Sequence, residues 1–283
     1  MQHLTGFADL ADSYDGFIID LWGVVHDGVT PYDGAVECLT RLRAAGKPTV
    51  LLSNAPRRAY VAQKAMREMG IPDDLYTGIL TSGEVTHSLL RDRNDPWFAN
   101  LGGRVFHIGQ ARDLNVLETL PVQLVDTPAD ADFMLNTGPH EERSLTDVSA
   151  YEDVLAACLA AGLPMVCANP DLEVIREGGR WICAGAVAQR YEALGGTARW
   201  IGKPDPAVYA PVLDMLDLPP RRILAVGDAL RTDMAGAKAA GVDGCWVLGG
   251  IHAEELGADP DLVERAAAAA DLTPVAAIPA FTW

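Results

Sequence analysis

Residues 17–28, FIIDLWGVVHDG, constrain the fold more than any other stretch. Phe17, Ile18 and Ile19 form an apolar run with no polar alternation. A strand that is apolar on both faces belongs in the middle of a parallel sheet, where both faces are covered. Asp20 follows at the point where such a strand would surface, and a turn-rich tail, Gly23 to Gly28, comes after it. Ligands of open α/β sheets bind outside the carboxyl ends of the strands, so an acid at that end is placed for chemistry. Taken alone, Asp20 carries little, because an Asp at a strand end is more often a turn or helix cap.

The chain repeats this strand-then-helix rhythm. In PYDGAVECLTRLRAAG, Asp33 is a fitting N-cap, Val36, Leu39 and Leu42 share one face, and Gly46 closes the helix. KPTVLLSNAP predicts a second buried strand ending in the polar turn Ser53-Asn54. A helix is expected over 57–69, stopped by Gly70, and GILTSGEVTHSLL predicts a third strand running into a helix. RNDPWFANLGG breaks the rhythm, and a second α/β unit follows. RVFHIG, PVQLVD, ADFMLNTG and LPMVCANPD read as its strands. ARDLNVLETL, SLTDVSAYEDVLAACLAAG and AGAVAQRYEALGG read as its helices. From ARWIGKPDP the chain returns to the first unit, with a helix in PAVYAPVLDMLD, a strand and turn in RRILAVGDAL, a helix in RTDMAGAKAAG and a strand in DGCWVLGG. AEELGADPDLVERAAAAA is expected to be helical and exposed. The expected fold class is α/β: a doubly wound parallel sheet built from residues 1–97 and 199–283, with an inserted α/β domain over 98–198.

Composition narrows the function. The chain has 283 residues, 49% of them hydrophobic, enough for two domains with substantial cores. A formal net charge of −17 argues against nucleic acid, whose phosphates need clustered Lys and Arg. No run of apolar residues is long enough to span a membrane, and the N-terminal MQHLTGFADLADSYDG lacks the basic-then-apolar pattern of a signal peptide. A soluble, cytoplasmic protein with no membrane partner is the expectation. Cys38, Cys158, Cys167, Cys183 and Cys245 sit among apolar neighbours without CxxC spacing, which reads as buried free thiols rather than a zinc or redox site.

Four polar clusters each follow an expected buried strand or mark the return between domains. They are Asp20, Ser53-Asn54, Lys203 in GKPDP, and Asp228 with Asp233 in GDALRTD. A parallel sheet brings strand ends to one edge, so these clusters can share a cleft. Three carboxylates together raise one another's pKa unless a cation compensates. A lysine and a divalent metal are the natural compensation, and an all-oxygen ligand set points to Mg²⁺. Singly, each cluster also reads as an ordinary loop or cap.

In that order, Asp20, Ser53, Lys203 and the Asp228/Asp233 pair resemble the four motifs of the haloacid dehalogenase (HAD) superfamily. The insert between the second and third motifs resembles the type IIA cap subfamily, as do TSGE at 81–84, ANPD at 168–171, GKPDP at 202–206 and GDALRTD at 227–233. The resemblance covers almost the whole chain. It implies a Mg²⁺-dependent hydrolase of a small phosphorylated metabolite, working through an aspartyl phosphate on Asp20. It implies that Ser53 and the Asn54 N–H hold the phosphoryl oxygens and that Lys203 neutralises charge on nucleophile and phosphoryl group. It assigns the metal to Asp20, the backbone carbonyl of Trp22, Asp228 and Asp233, and suggests a homodimer through the cap. Asn169 and Asp171 would open a cap loop facing the substrate, or form an ordinary turn.

One residue departs from the family pattern. The position two after the nucleophile normally holds a second Asp that protonates the leaving oxygen, and here it is Trp22. Indole has no acid–base function near neutral pH, so a contribution of typically about 10²–10⁴-fold in rate is missing. Three explanations stand open. The leaving group is already acidic; another group substitutes, His26 being the best placed by intrinsic pKa; or the protein is a catalytically reduced HAD-like protein that binds a phosphometabolite or partner. Arg57 and Arg58 open a helix beside Ser53 and read as solvated helix arginines in preference to contacts for an anionic substrate, and His107, His140 and Trp181 of the insert could line its inner surface, with no spacing that prefers this over core or surface roles.

Overall fold

The computed structural model describes residues 1–176, 179–251, 253 and 259–283. Seven parallel strands form the main sheet, in the order Gln2–His3, Ala276–Ile278, Asp243–Val247, Ile223–Gly227, Gly16–Ile19, Thr49–Ser53, Gly78–Thr81. The apolar run Phe17-Ile18-Ile19 occupies the interior of this sheet. Ile18 pairs with Ala225 on one side and with Val50 on the other. Alternation then sends side chains into two cores. Phe17 and Ile19 join Phe7, Leu39, Leu42, Leu51 and Val226 on one face, while Ile18 joins Val50, Leu52, Tyr209, Val212 and Leu216 on the other. Both faces are therefore covered, which is why no position of this strand tolerates a polar residue before Asp20.

A second, five-stranded parallel sheet is formed by the inserted residues, in the order Ala198–Trp200, Met165–Cys167, Phe133–Asn136, Arg104–Ile108, Gln123–Val125. The expected boundary at 198/199 falls inside the Ala198–Trp200 strand, which pairs with Met165–Cys167. The other end of the insert is also tied in, because Leu90 and Phe98 pack with Val105, Leu135, Val166 and Ile201 in one buried cluster.

Several elements differ from expectation for local reasons. The helix after the first strand runs Ala35–Ala44 and its N-cap is Gly34 at φ 81, not Asp33, and no side chain caps it. ARDLNVLETL forms a tight 3₁₀ segment, Ala111–Leu117, instead of an α-helix. There the Asn115 side chain donates to the Arg112 carbonyl at 2.5 Å and accepts from the Arg58 N–H at 2.8 Å, offering the backbone an alternative to helical pairing. RTDMAGAKAAG begins with a π-helical turn, Leu230–Met234, before the α-helix Ala235–Ala240. Of the expected C-terminal helix, residues 254–258 lie outside the described residues. Its remainder, Pro260–Ala269, is not wholly exposed, since Val263 and Ala267 pack against Trp246 and Leu272. The sequence reading left residues 172–183 without an element. They contain an antiparallel pair, Glu173–Arg176 with Gly179–Ile182, that joins neither sheet.

Candidate active site

Asp20 is the first residue past the Gly16–Ile19 strand, its N–H still donating to the Val226 carbonyl at 2.9 Å. This last sheet-like bond fixes the backbone, and the Asp20 Oδ1 accepts the Leu21 N–H at 2.8 Å. Lys203 arrives from the returning chain and is 3% exposed. Its Nζ lies 2.7 Å from Asp20 Oδ1 and 2.7 Å from Asp233 Oδ1, and donates to the Leu52 carbonyl at 3.1 Å. Asp228 ends the neighbouring Ile223–Gly227 strand, and its Oδ2 accepts the Ile251 N–H at 2.7 Å. Gly23, at φ 83, and Gly250 make this packing possible. A Cβ on either would lie 2.1 or 1.9 Å from Asp228 Oδ2. The π-helical turn carries Asp233 inward, and its Oδ2 accepts the Ala229 N–H at 3.1 Å.

One carboxylate oxygen each from Asp20, Asp228 and Asp233 fall within 4.8 Å of one another. Three buried carboxylates thus face one ammonium. Burial, and then Asp233, push Asp20 well above the ordinary carboxylate range despite Lys203. Asp228 is pushed up to about 7 by the same two causes in the same order. Burial opposes charge on Lys203, but Asp20 and Asp233 outweigh it and hold the ammonium well above its ordinary range. The excess of negative charge and the all-oxygen donor set fit a hard divalent cation.

Ser53 and Asn54 end the Thr49–Ser53 strand and line the same cavity. Ser53 Oγ accepts the Ala55 N–H at 3.2 Å. The Asn54 amide spans the two units: its Oδ1 accepts the Lys203 N–H at 2.8 Å and its Nδ2 donates to Asp171 Oδ1 at 2.8 Å. Asn169 Oδ1 accepts the Asp171 N–H at 2.9 Å, and both residues line the cavity. Ser82 Oγ lies 2.5 Å from the Ala168 carbonyl, and Arg231 bonds the Pro170 carbonyl. Asp20, Ser53, Asn54, Asn169, Asp171, Lys203, Asp228 and Asp233 therefore border one cavity of about 220 Å³.

Trp22 also lines this cavity, whereas His26 does not. His26 is buried, its Nδ1 accepts the Gly28 N–H at 3.0 Å, and its ring packs edge-on against Trp22. Burial pushes it down to about 4, and the residue is not part of the cavity lining. The expectation that His26 substitutes for the missing acid is corrected on that geometry. Trp22 instead donates its Nε1–H to the Ile175 carbonyl at 3.0 Å. Its ring lies over Gly28, where a Cβ would meet Cη2 at 2.1 Å. The side chain is an anchor for the 173–182 hairpin.

Arg57 is not a solvated helix residue. It precedes the Ala59–Glu68 helix, lines the cavity and donates to Asp113 of the insert at 2.7 Å. Arg58 pairs with Glu84 at 2.8 Å. His107 bonds Thr137 and lies outside the lining, as does His140, while Trp181 is part of it. Sequence reasoning did not find Arg112 and Arg176. A hairpin signal was present in EVIREGGRWI, apolar pairs about a Gly-Gly, and would have located Arg176. The five cysteines are free and buried, as expected. No helix among the described residues is long and apolar enough to cross a membrane.

Comparison with known proteins bears on the same residues. A family model of haloacid dehalogenase-like hydrolases matches residues 17–123, and a second HAD-hydrolase-like model matches residues 200–274. The crystal structure of a haloacid dehalogenase-like family hydrolase from Brucella suis is 32% identical, covers 99% of this chain and 100% of its own, and superposes with a TM-score of 0.85. D-glycerol 3-phosphate phosphatase of Mycobacterium tuberculosis is 31% identical over 86% of this chain, which spans 65% of that protein's length. Acid sugar phosphatase of Staphylococcus aureus is 25% identical over 86% of this chain and 89% of its own.

Proposed function

The chain belongs to the haloacid dehalogenase-like hydrolase family, and from that premise we propose that it is a Mg²⁺-dependent phosphatase of a small phosphorylated metabolite. The observation that carries the proposal is Lys203 bridging Asp20 and Asp233 beside Asp228 in a cavity partly lined by the insert. The phosphatase names of the mycobacterial and staphylococcal relatives support it.

In this reading an Asp20 carboxylate oxygen attacks phosphorus and the bond to the leaving oxygen breaks, giving an aspartyl phosphate that water then hydrolyses. Lys203 neutralises charge on the nucleophile and on the transferred group from a position already fixed by two ion pairs. Ser53 Oγ and the Asn54 N–H hold phosphoryl oxygens at the end of the second strand. Asp20, Asp228, Asp233 and the Trp22 carbonyl would hold the divalent cation, which when bound supplies charge compensation to the phosphoryl oxygens. The insert excludes water and contacts the leaving group through Asn169, Asp171 and the hairpin. With Trp22 anchoring that hairpin and His26 outside the cavity lining, neither residue protonates the leaving oxygen. Esters of acidic alcohols or phenols are therefore the better substrates, and turnover of poor leaving groups is low. The homodimer through the insert belongs to the same proposal and rests on the family resemblance.

The test combines phosphate release with intact-mass spectrometry on the wild type and Asp20→Asn, incubated with Mg²⁺ and a panel of phosphomonoesters. Steady release by the wild type alone is expected. Tight binding with neither release nor a phosphate adduct on Asp20 would overturn the hydrolase reading in favour of a binding protein.

A further inference from the structure

The insert furnishes its part of the cavity with charge that the phosphoryl site does not use. Three guanidinium groups line it: Arg57 from the core, Arg112 from the Ala111–Leu117 segment and Arg176 from the hairpin. Three nearby acids are already engaged. Asp113 pairs with Arg57 at 2.7 Å, Asp171 accepts from Asn54, and Glu173 pairs with Arg180. Among the described residues, neither Arg112 nor Arg176 has a carboxylate partner. Arg176 lies over the Trp181 ring at 4.9 Å, and its Nε is buried with no hydrogen-bond partner.

Their surroundings sharpen the point. Burial, and then the like charges of Arg57 and Arg176, push Arg112 below the ordinary guanidinium range. The chain holds 39 acidic and 22 basic residues, so two cavity-lining guanidiniums without acids are not a product of composition. The Trp22–Ile175 hydrogen bond holds the strand that carries Arg176 against the core. A planar guanidinium that lines a cavity and has no carboxylate partner is suited to a carboxylate or phosphate.

We propose that Arg112 and Arg176 bind a second anionic group of the substrate, a carboxylate or a further phosphate, while its ester phosphate lies at Asp20. The inference rests on the phosphatase reading of the same cavity and names its substrate class: a phosphomonoester whose leaving group carries its own negative charge.

The test uses three matched series with two to five carbons: ω-phosphooxy carboxylates, α,ω-diol bisphosphates, and ω-phosphooxy alcohols as neutral-tailed controls. Ratios of kcat/KM, anionic over neutral tail, are measured within each protein, so a general loss of activity cancels. The wild type is expected to favour an anionic tail by at least about tenfold at the best length. That ratio should fall toward unity in Arg112→Gln and in Arg176→Gln and be partly retained in Arg112→Lys, with circular dichroism confirming each fold. The series that shows the effect identifies the anion as carboxylate or phosphate. Wild-type turnover with ratios within about twofold at every length would overturn the subsite and leave the phosphatase standing. A wild-type preference that both Gln variants keep would overturn the assignment to these arginines. If the wild type releases phosphate from none of the compounds, calorimetric binding of the same series decides the subsite, and the phosphatase reading falls only if nitrophenyl phosphate, with its acidic leaving group, is not hydrolysed either. An anionic-tail preference abolished by both Gln variants supports it, and equal binding of all tails overturns it.

Discussion

Replacing Trp22 by Phe tests whether this residue anchors the hairpin. The only polar atom of the side chain, Nε1, donates to the Ile175 carbonyl at 3.0 Å. That carbonyl sits on a two-stranded element paired with neither sheet. A hydrogen bond of this kind is worth about 0.5–1.5 kcal/mol net, and a carbonyl left buried without its donor costs about 1–3 kcal/mol. Phe removes the donor and shortens the ring that packs over Gly28. The closed hairpin should therefore lose about 1.4 kcal/mol, which raises its open population about tenfold. Hydrogen exchange followed by mass spectrometry reads this directly. Peptides covering 173–182 should exchange several-fold to about tenfold faster, while peptides covering the Ile223–Gly227 strand keep their protection. Unchanged protection of the hairpin would refute the anchor. An equal loss of protection in hairpin and sheet would also refute it, showing Trp22 to be part of the general packing.

Three further outcomes follow from the geometry. Lys203→Met strands Asp20 and Asp233 without their buried cation; urea unfolding should show a loss of about 3–5 kcal/mol, smaller in the presence of Mg²⁺, and a loss below about 1 kcal/mol would contradict the pairing described. Gly28→Ala places a Cβ at φ 90, 2.1 Å from the Trp22 ring; it should cost about 2–4 kcal/mol in thermal unfolding, and a neutral effect would show that the ring moves freely. Burial, and then His140, hold His107 down to about 4 against 6.5 when unfolded, so its folded form favours neutrality. The stability it contributes is complete above the unfolded value and is lost as pH falls toward the folded one. Between about pH 8 and about pH 5 the wild type should lose about 2 kcal/mol more than His107→Gln, and parallel pH profiles would contradict this.

The parts of the fold legible in the sequence were those with one physical solution. Phe17-Ile18-Ile19 can be buried on both faces only inside a parallel sheet, and strand-end chemistry then follows from topology. Asp20, Ser53, Lys203, Asp228 and Asp233 do converge on one cavity for that reason. His26 misled because nearness in sequence says nothing of direction. The turn that begins at Leu21 folds its imidazole back onto the Gly28 N–H, and the residue is not part of the cavity lining. Arg112 and Arg176 were not legible, because whether an arginine is paired depends on residues far away in the chain. Asp113, beside Arg112 in sequence, is claimed by Arg57. The hairpin was missed because the residues of its two strands, Glu173–Arg176 and Gly179–Ile182, are half-buried and show no two-residue alternation of apolar and polar positions.

The order in which the site's pieces occur along the chain has a consequence for biosynthesis. Asp20 leaves the ribosome early, but the strand on one side of its own, Ile223–Gly227, and the partners Lys203, Asp228 and Asp233 all come in the last third of the polypeptide. At roughly 5–20 residues per second, tens of seconds separate the acid from the lysine that pairs with it. During that interval the whole insert emerges and can fold around its own sheet, while Asp20 is a carboxylate with neither lysine nor neighbouring acids. The residue that defines the site is thus made early and equipped late, and a chain arrested anywhere before Lys203 carries the acid and Ser53 but neither the lysine nor the two other acids.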